Sequence, residues 1–369
     1  MEAAVPQLNA LGLKIAGRIR ETGPLSVADF MAVCLGDPDL GYYMRRDPLG
    51  LSGDFVTAPE VSQMFGELIG LWLIEVWEAA GRPKPFALVE LGPGRGTLMR
   101  DALRAARVRP EFLAAAKLHL VEMSPVLRAR QREQLASVGE VPTWHHRLAT
   151  VPKMPVLVVA NEFFDALPIR QFLRAGGEWR ERVVGLDAEG RLAFGIGPGR
   201  LIEPEVPAVA AGAEDGAILE VSPASTAVMA EIAHRIRENG TAALVIDYGY
   251  ARTALGDTLQ SVRRHAYVDP LADPGEVDLT AHLNFEALAR TARSEGAAVF
   301  GPMEQGAFLL SLGLVERAGR LGTGRDTALQ NEIRAAVERL AGPDEMGTLF
   351  KVLAVTAPGL APPPFGPRS

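Results

Sequence analysis

Apolar residues follow two alternating patterns along most of this 369-residue chain. Short runs of consecutive apolar residues are typical of buried strands in a parallel sheet, and the segments between them carry apolar residues every three or four positions, as helices do. The strand runs lie at 86–91, 118–122, near 143–144, and at 155–160, 243–246 and 349–356. This alternation of strand and helix predicts an α/β fold with a Rossmann-like doubly wound sheet.

Three stretches depart from this alternation. Residues 8–46 show helical spacing and predict two short helices and a loop. Residues 169–215 alternate apolar and polar side chains around glycine-bearing turns, which predicts an antiparallel β insertion. The proline-rich tail is predicted to be disordered. We therefore predict an N-terminal helical segment with a flap over 1–80, a core over 81–168 and 216–357, a β-hairpin insertion over 169–215, and a disordered tail over 358–369.

Composition narrows the class of protein. Hydrophobic residues make up 48% of the chain and charged residues 22%, so a large core can form. The net charge of −7 argues against general nucleic-acid binding, because neutralising phosphates requires a cationic face. A single cysteine and six histidines without close spacing predict no metal site. Because we find neither a signal peptide nor an apolar run of roughly 20 residues, we expect a cytoplasmic protein without a membrane span.

The most informative stretch is a glycine turn directly after the strand at 86–91. Gly92, Gly94 and Gly96 occupy alternate positions, and Glu90 lies at the strand end. A dinucleotide fingerprint would place the third glycine one residue later, and a phosphate-binding loop would continue with Gly-Lys-Ser/Thr. A nucleoside joined to an amino acid, S-adenosylmethionine, fits this turn without a phosphate. Glu122 ends the next strand, where an acid can accept hydrogen bonds from both ribose hydroxyls.

Each of these cofactor candidates has a structural alternative. Glu90 could be a buried acid satisfied by backbone N–H groups, and Glu122 an acid near a helix start. Thr57 could cap the next helix, with Glu60 completing a capping box, or belong to a flap over the site. Asn161, after the strand at 155–160, could be a turn residue or contact the amino-acid end of the cofactor.

Five motifs together resemble the MidA-like family, which includes the mitochondrial arginine methyltransferase that assists assembly of respiratory complex I. The motifs are Gly53–Glu60, Glu90–Thr97, Val121–Pro125, Asn161–Pro168 and Asp278–His282. The match spans roughly residues 20–315. The resemblance implies a class I S-adenosylmethionine-dependent methyltransferase fold and, in the mitochondrial member, methyl transfer to an arginine of a complex I subunit. We expect this chain to lack a mitochondrial presequence, unlike the organellar members.

Methylating an arginine requires carboxylates, because the guanidinium is protonated under ordinary conditions. A pair of carboxylates can accept its N–H donors and take a proton as the methyl arrives. Glu162 and Asp165 follow the strand at 155–160, and Asp247 follows the strand at 243–246, so they are our catalytic candidates. His282 is a fourth candidate, although it could act only through a neighbour or as a capping group.

The resulting prediction is an S-adenosylmethionine-dependent methyltransferase acting on an arginine of a protein substrate, such as a complex I subunit. Two alternatives stay open. The acceptor could be another amino acid, a base or a small molecule. The protein could also be a non-catalytic, S-adenosylmethionine-binding assembly factor that binds a partner protein through the insertion at 169–215.

Overall fold

The computed structural model describes residues 8–45, 56–139, 141–202, 206–263 and 266–365. Gly53, Asp54 and Phe55 of the first motif, and residues 366–369 of the tail, lie outside this part. The helices are α1 (Ala10–Thr22), α2 (Val27–Gly36), α3 (Tyr42–Arg45), α4 (Ala58–Val61), α5 (Gln63–Ala79), α6 (Thr97–Ala106), α7 (Pro110–Ala115), α8 (Pro125–Ala136), α9 (Pro223–Asn239), α10 (Phe285–Ser294), α11 (Gln305–Ser311), α12 (Leu314–Gly322), α13 (Thr327–Ala341) and α14 (Met346–Leu349).

The strands follow the same chain order. They are β1 (Leu25–Ser26), β2 (Phe86–Leu91), β3 (Ala116–Val121), β4 (Thr143–His145), β5 (Val156–Asn161), β6 (Arg170–Ala175), β7 (Glu178–Leu186), β8 (Leu192–Leu201), β9 (Ile218–Val221), β10 (Thr241–Tyr250), β11 (Gln260–Arg263), β12 (Ala266–Val268), β13 (Asp278–Thr280), β14 (Leu283–Asn284), β15 (Ala298–Glu304) and β16 (Phe350–Thr356). In the described ranges, no helix has the length and apolar character needed to cross a membrane.

The chain divides into two compact units. The N-terminal unit comprises Met1–Pro48, Ala166–Ser225 and Arg252–His282. The core unit comprises Leu49–Asp165, Thr226–Ala251 and Leu283–Ser369. The division differs from the predicted boundary at residue 80, because α5 buries its apolar face in the hydrophobic cluster of the core unit.

The core unit contains the predicted doubly wound sheet. Its main strand order is β15-β16-β10-β5-β2-β3-β4. The strands from β10 to β4 are parallel, and every residue of β2 and of β5 is buried, as expected for strands covered on both faces. The chain leaves β2 toward β3 on one side and later returns to β5 on the other, so a topological switch point lies between β2 and β5. In such sheets, ligands bind at the carboxyl ends of the strands at this point.

The far edge of this sheet was not fully predicted. β16 runs antiparallel to β10, and β15 pairs antiparallel with β16. The sequence indicated the strand at 349–356 but not its direction, and β15 was missed. β15 is partly exposed and interrupted by Gly301 and Pro302, so it lacks the continuous apolar run of a central strand.

The N-terminal unit is built on antiparallel pairing, and the predicted β insertion is confirmed. β7 pairs with β6, β8 and β1, and β6 also pairs with β9. The apolar side chains of α1 and α2 pack in one cluster with Ile169 and Val184 of the insertion. A second, three-stranded sheet (β12-β11-β13) forms within 252–282, where the sequence suggested an irregular stretch.

The proline-rich tail is ordered as far as the structure describes it. The rings of Phe300 and Phe308 contact Phe365 at centroid distances of 6.5 and 5.9 Å. Trp72 Nε1 donates a hydrogen bond to the carbonyl oxygen of Pro363 at 2.5 Å. Disorder predicted from composition is therefore wrong for residues 358–365, because aromatic contacts compensate for the entropy of ordering this segment.

Candidate functional site

The glycine turn connects β2 to α6 in a conformation that requires glycine. Gly92, Gly94 and Gly96 have φ values of 60°, 52° and 84°, which residues with a Cβ rarely adopt. The turn is closed by a hydrogen bond from the N–H of Gly96 to the carbonyl oxygen of Pro93 at 2.7 Å. A Cβ on Gly92 would lie 2.8 Å from Cδ2 of Phe163. The turn leads directly into the N-terminus of α6, which begins at Thr97.

Glu90 is a buried carboxyl group at the end of β2. Its side chain is 3% exposed, and its Oε2 atom has no hydrogen-bond partner in the described part of the chain. Burial, together with the nearby charge of Glu122, raises the pKa of Glu90 to about 8. A buried acceptor left without a donor is unfavourable, so Glu90 is better suited to a ligand with a donor or a positive charge than to a purely structural role.

Glu122 lies just beyond β3 and is held by two donors. Its Oε1 accepts the N–H of Ser124 at 2.8 Å, and its Oε2 accepts from Nε2 of Gln131 at 3.2 Å. Burial raises the pKa of Glu122, and these hydrogen bonds counteract part of that rise. The helix cap suggested as an alternative belongs to Ser124, whose Oγ accepts from the N–H of Leu127 at 3.2 Å.

Asn161 and Glu162 extend the site from β5. Asn161 Nδ2 donates to Glu162 Oε1 at 3.2 Å, while its Oδ1 is buried and finds no partner among the residues described. Glu162 has a positive φ of 49°, an uncommon and strained conformation for a residue with a side chain. Backbone strain of this kind is concentrated at functional sites, which supports Glu162 as a candidate functional residue.

Thr57 precedes α4 but does not cap it with its side chain. Instead, the N–H of Ala58 donates to Glu162 Oε1 at 2.9 Å, so a carboxylate just after β5 satisfies a donor at the helix start. The capping box with Glu60 is also wrong, because Glu60 Oε1 accepts from the hydroxyl of Thr97 at the start of α6. The segment around Thr57 is thus tied to the residues that surround the glycine turn.

Glu162, Asp165 and Asp247 form a cluster of carboxyl groups within the core unit. Burial raises the pKa of Glu162 to about 7, with a further contribution from the charge of Asp165. Burial and the charges of Asp165 and Glu162 raise the pKa of Asp247 well above its ordinary value. Three acids held this close repel one another when ionised, which favours binding of a cation between them.

Both carboxylate oxygens of Asp247 accept hydrogen bonds from backbone N–H groups. Its side chain is fully buried; Oδ2 accepts the N–H groups of Phe164 and Asp165 at 3.0 and 3.2 Å, and Oδ1 accepts the N–H of Tyr248 at 2.9 Å. Asp247 therefore holds the turn that carries Asp165, and its predicted catalytic role stays a prediction.

His282 is the last residue of the N-terminal unit, whereas the carboxyl cluster lies in the core unit. Its N–H donates to the hydroxyl of Thr258 at 2.9 Å, and burial lowers the pKa of its ring. The predicted catalytic role of His282 stays a prediction.

Gln131 is a site residue that the sequence analysis missed. It is completely buried on α8 and joins the glycine turn to Glu122. A signal was present, because Leu127, Gln131 and Leu135 share one helix face at intervals of four residues, and an uncharged polar residue in such an apolar stripe requires buried partners.

The donors and acceptors of this site fit S-adenosylmethionine. Glu90 Oε2 and Asn161 Oδ1 are buried acceptors that lack donors in the described chain, and the cofactor carries an ammonium group and a sulfonium. The turn at Gly92–Gly96 offers backbone without Cβ atoms, and Glu122 supplies carboxylate oxygens beside it. These groups come from the carboxyl ends of β2, β3 and β5, on both sides of the switch point.

Comparison with protein families gives a match over most of the core. Residues 68–303 match the family model described as "Putative S-adenosyl-L-methionine-dependent methyltransferase". A mitochondrial protein of Drosophila melanogaster, named a protein arginine methyltransferase NDUFAF7 homolog, is 36% identical over 94% of this chain and 84% of its own length. The Homo sapiens protein arginine methyltransferase NDUFAF7 is 36% identical over 92% of this chain and 81% of its own.

Solved structures agree with this family. A Burkholderia thailandensis protein bound to S-adenosyl-homocysteine superposes with a TM-score of 0.82 at 28% identity, covering 95% of this chain and 92% of that one. The predicted class I methyltransferase fold and the predicted cofactor are therefore confirmed. The predicted cytoplasmic location is wrong, because the curated relatives are named as mitochondrial proteins.

Proposed function

Because this chain belongs to the family of S-adenosyl-L-methionine-dependent methyltransferases that the matching model describes, we propose that it methylates an arginine side chain of a protein. Its curated relatives are named protein arginine methyltransferases. The observation that carries the proposal is the carboxyl cluster of Glu162, Asp165 and Asp247, in which Glu162 has a pKa of about 7. A guanidinium is the cationic acceptor that such a cluster suits best.

The cofactor would be held by the residues around the glycine turn. Glu90 and Asn161 would accept from its amino-acid portion, Glu122 would accept from its ribose, and the turn at 92–96 would provide close backbone contact. When bound, S-adenosylmethionine supplies an electrophilic methyl group on its sulfonium. The residues of the chain would orient the cofactor and the acceptor and place negatively charged carboxylates around this methyl group.

Glu162 is the proposed base. Its carboxylate, fixed by the N–H of Ala58 and the amide of Asn161, would orient the guanidinium and accept the proton that the methylated nitrogen loses. A pKa of about 7 suits this task, because the group is substantially ionised at neutral pH and still basic enough to hold a proton. Asp165 would share the cationic charge, and Asp247 would hold the turn in place.

We propose a subunit of respiratory complex I as the protein substrate. This part of the proposal rests on the resemblance of the five motifs to the MidA-like family and on the name of the curated relatives. A protein substrate agrees with the acidic character of the carboxyl cluster, which would attract an arginine on an accessible segment of its partner.

The test compares wild type with Glu162→Gln, using S-adenosylmethionine labelled in its methyl group and complex I subunits from cells that lack this protein. Mass spectrometry should find a methylated arginine with wild type. Glu162→Gln should reduce the rate roughly 100-fold or more, as expected when a general base is removed. The variant keeps an oxygen to accept the N–H of Ala58, so calorimetry should detect S-adenosyl-homocysteine binding close to that of wild type.

Glu133→Gln, on the exposed face of α8, is the matched control and should retain full activity. Methylation by Glu162→Gln within twofold of wild type would remove Glu162 from the mechanism. A mark found only on glutamine, asparagine or another residue type would overturn arginine as the acceptor.

A further inference from the structure

Gln131 is a fully buried polar residue in the middle of an otherwise apolar helix face. On α8, the buried residues are Leu127, Gln131 and Leu135. Burying an amide is unfavourable unless its hydrogen-bonding groups are paired, and a leucine at this position would complete the apolar stripe at no such cost. We therefore expect the contacts of Gln131 to explain why a glutamine occupies this position.

The amide of Gln131 bridges the two parts of the proposed cofactor site. Its Nε2 donates to the carbonyl oxygen of Gly94 in the glycine turn at 2.7 Å and to Oε2 of Glu122 at 3.2 Å. The turn follows β2 and Glu122 follows β3, and Nε2 is bonded to both. Two amide hydrogens thus fix the turn and the carboxylate relative to each other.

Trp144 determines which end of the amide faces the site. Its Nε1 donates to Oε1 of Gln131 at 2.8 Å. The indole N–H is only a donor, so it must face the oxygen of the amide, and Nε2 is left pointing at Gly94 and Glu122. Trp144 lies on β4, the strand next to β3. All three polar contacts of the amide are consequently defined by its neighbours.

We propose that Gln131, oriented by Trp144, is a positioning residue that holds Glu122 and the glycine turn in the arrangement that S-adenosylmethionine requires. The inference rests on the cofactor roles proposed above for Glu122 and the turn. Gln131 itself does not contact the reacting atoms. It stabilises one placement of Glu122, so that the carboxylate accepts from a ligand without first reorganising.

The chemistry of the alternatives explains why glutamine is suited to this position. A glutamate would place a third buried carboxyl group beside Glu122 and Glu90; ionised, it would offer no donor, and protonated, it would offer one donor for two contacts. An asparagine is one methylene shorter, so it would not reach both partners from the same backbone position. Methionine keeps the length and volume of glutamine but removes both donors, which makes it the informative substitution.

The experiment measures S-adenosyl-homocysteine binding by calorimetry for wild type, Gln131→Met and Gln134→Met. Gln134 lies on the same helix and is half-buried, and its Oε1 accepts a hydrogen bond from Nη1 of Arg100 at 2.7 Å, away from the glycine turn and Glu122. We expect Gln131→Met to weaken binding at least 10-fold and Gln134→Met to stay within twofold of wild type. At saturating S-adenosylmethionine, Gln131→Met should keep kcat within about threefold while its KM for the cofactor rises.

Trp144→Phe provides a second, milder variant and a test of coupling. Phenylalanine removes the N–H that orients the amide, so binding should weaken by roughly three- to tenfold. The double variant should bind no more weakly than Gln131→Met alone, because both changes act through one amide. Gln131→Met within twofold of wild type, or losses that multiply in the double variant, would overturn the inference. Failure of wild type to bind would instead reject the cofactor roles on which it rests.

Discussion

Replacing Glu90 by glutamine should stabilise the cofactor-free protein while weakening cofactor binding. Glu90 is 3% exposed, and burial together with the charge of Glu122 raises the pKa of its carboxyl group from the usual 4.5 to about 8. Each pKa unit corresponds to about 1.4 kcal/mol, so ionised Glu90 lowers the free energy of unfolding by roughly 3–5 kcal/mol. Glutamine has nearly the same shape and never carries this charge.

The sign of the effect follows from the direction of the pKa change. A group whose pKa is higher in the folded state favours folding while it is protonated, so its contribution is complete below pH 4.5 and is lost as the pH rises toward about 8. Wild type and Glu90→Gln should therefore differ by less than about 1 kcal/mol near pH 5. At pH 8.5, the variant should be more stable by roughly 3–5 kcal/mol.

The assay is urea unfolding of cofactor-free protein at the two pH values, followed by tryptophan fluorescence and far-UV circular dichroism. Trp72, Trp77 and Trp144 lie in the core unit and report on the sheet that contains Glu90. Calorimetry at pH 8 should find S-adenosyl-homocysteine binding at least 10-fold weaker in Glu90→Gln, because a buried carboxylate no longer faces the cationic portion of the ligand.

Glu67→Gln is the matched control, since Glu67 is also a buried glutamate of the core unit. Its carboxylate pairs with Arg104 at 2.9 Å and with Arg317 at 2.7 and 3.0 Å, so removing its charge should destabilise the protein by roughly 1–3 kcal/mol. The reasoning about Glu90 would be refuted if Glu90→Gln were less stable than wild type at pH 8.5, or if its effect were the same at both pH values.

Two further predictions concern the turn and the proposed base. Gly92→Ala should weaken S-adenosyl-homocysteine binding at least 10-fold, because its Cβ would lie 2.8 Å from the ring of Phe163. The control is Gly81→Ala, where φ is 83° and a Cβ would meet open space. It should lose about 1 kcal/mol of stability through backbone strain and bind unchanged. At saturating S-adenosylmethionine, kcat/KM for the arginine substrate should rise through pH 7 as Glu162 ionises. Glu162→Gln should lose this pH dependence. A flat wild-type profile between pH 6 and 8 would contradict the role of Glu162 as a base.

Local patterns predicted the parts of the fold that depend on local burial. The apolar run of β2, the glycine turn after it and the acid after β3 each occupy consecutive residues, and the structure has them adjacent in the core unit. The direction of β16 has no local signature, because an antiparallel edge strand can carry the same apolar run as a parallel one. Likewise, β1 pairs two residues, Leu25 and Ser26, with a strand about 160 positions later, which no local pattern specifies.

Roles that depend on hydrogen-bond partners were harder to predict than positions. Asp247 follows a buried strand as a catalytic acid would, and the sequence does not reveal that its two oxygens accept three backbone N–H groups. Gln131 acquires its role from Gly94, Glu122 and Trp144, which come from three other elements. Thr57 has the sequence context of a helix cap, but the carboxylate of Glu162, just after β5, takes over that function.

The buried carboxylates of the core unit fall into two groups. The contrast between them supports the binding of two cationic ligands, the cofactor and the acceptor. Away from the site, buried acids are matched by arginines: Glu67 by Arg104 and Arg317, and Asp101 by Arg100 and Arg104. Around the glycine turn and beyond β5 and β10, burial raises the pKa of four acids, which are Glu90, Glu122, Glu162 and Asp247.

This excess of unfavourable negative charge has a direct physical consequence. A cation entering the site relieves repulsion and lowers the pKa values of the acids that it contacts, so this electrostatic part of the binding energy is available only to positively charged groups. S-adenosylmethionine carries a sulfonium and an ammonium, and a guanidinium carries the charge of the proposed acceptor. After methyl transfer the sulfonium becomes a neutral thioether. The same electrostatic imbalance that destabilises the empty site should thus favour S-adenosylmethionine over its demethylated product, and a calorimetric comparison of the two ligands at pH 8 measures that preference directly.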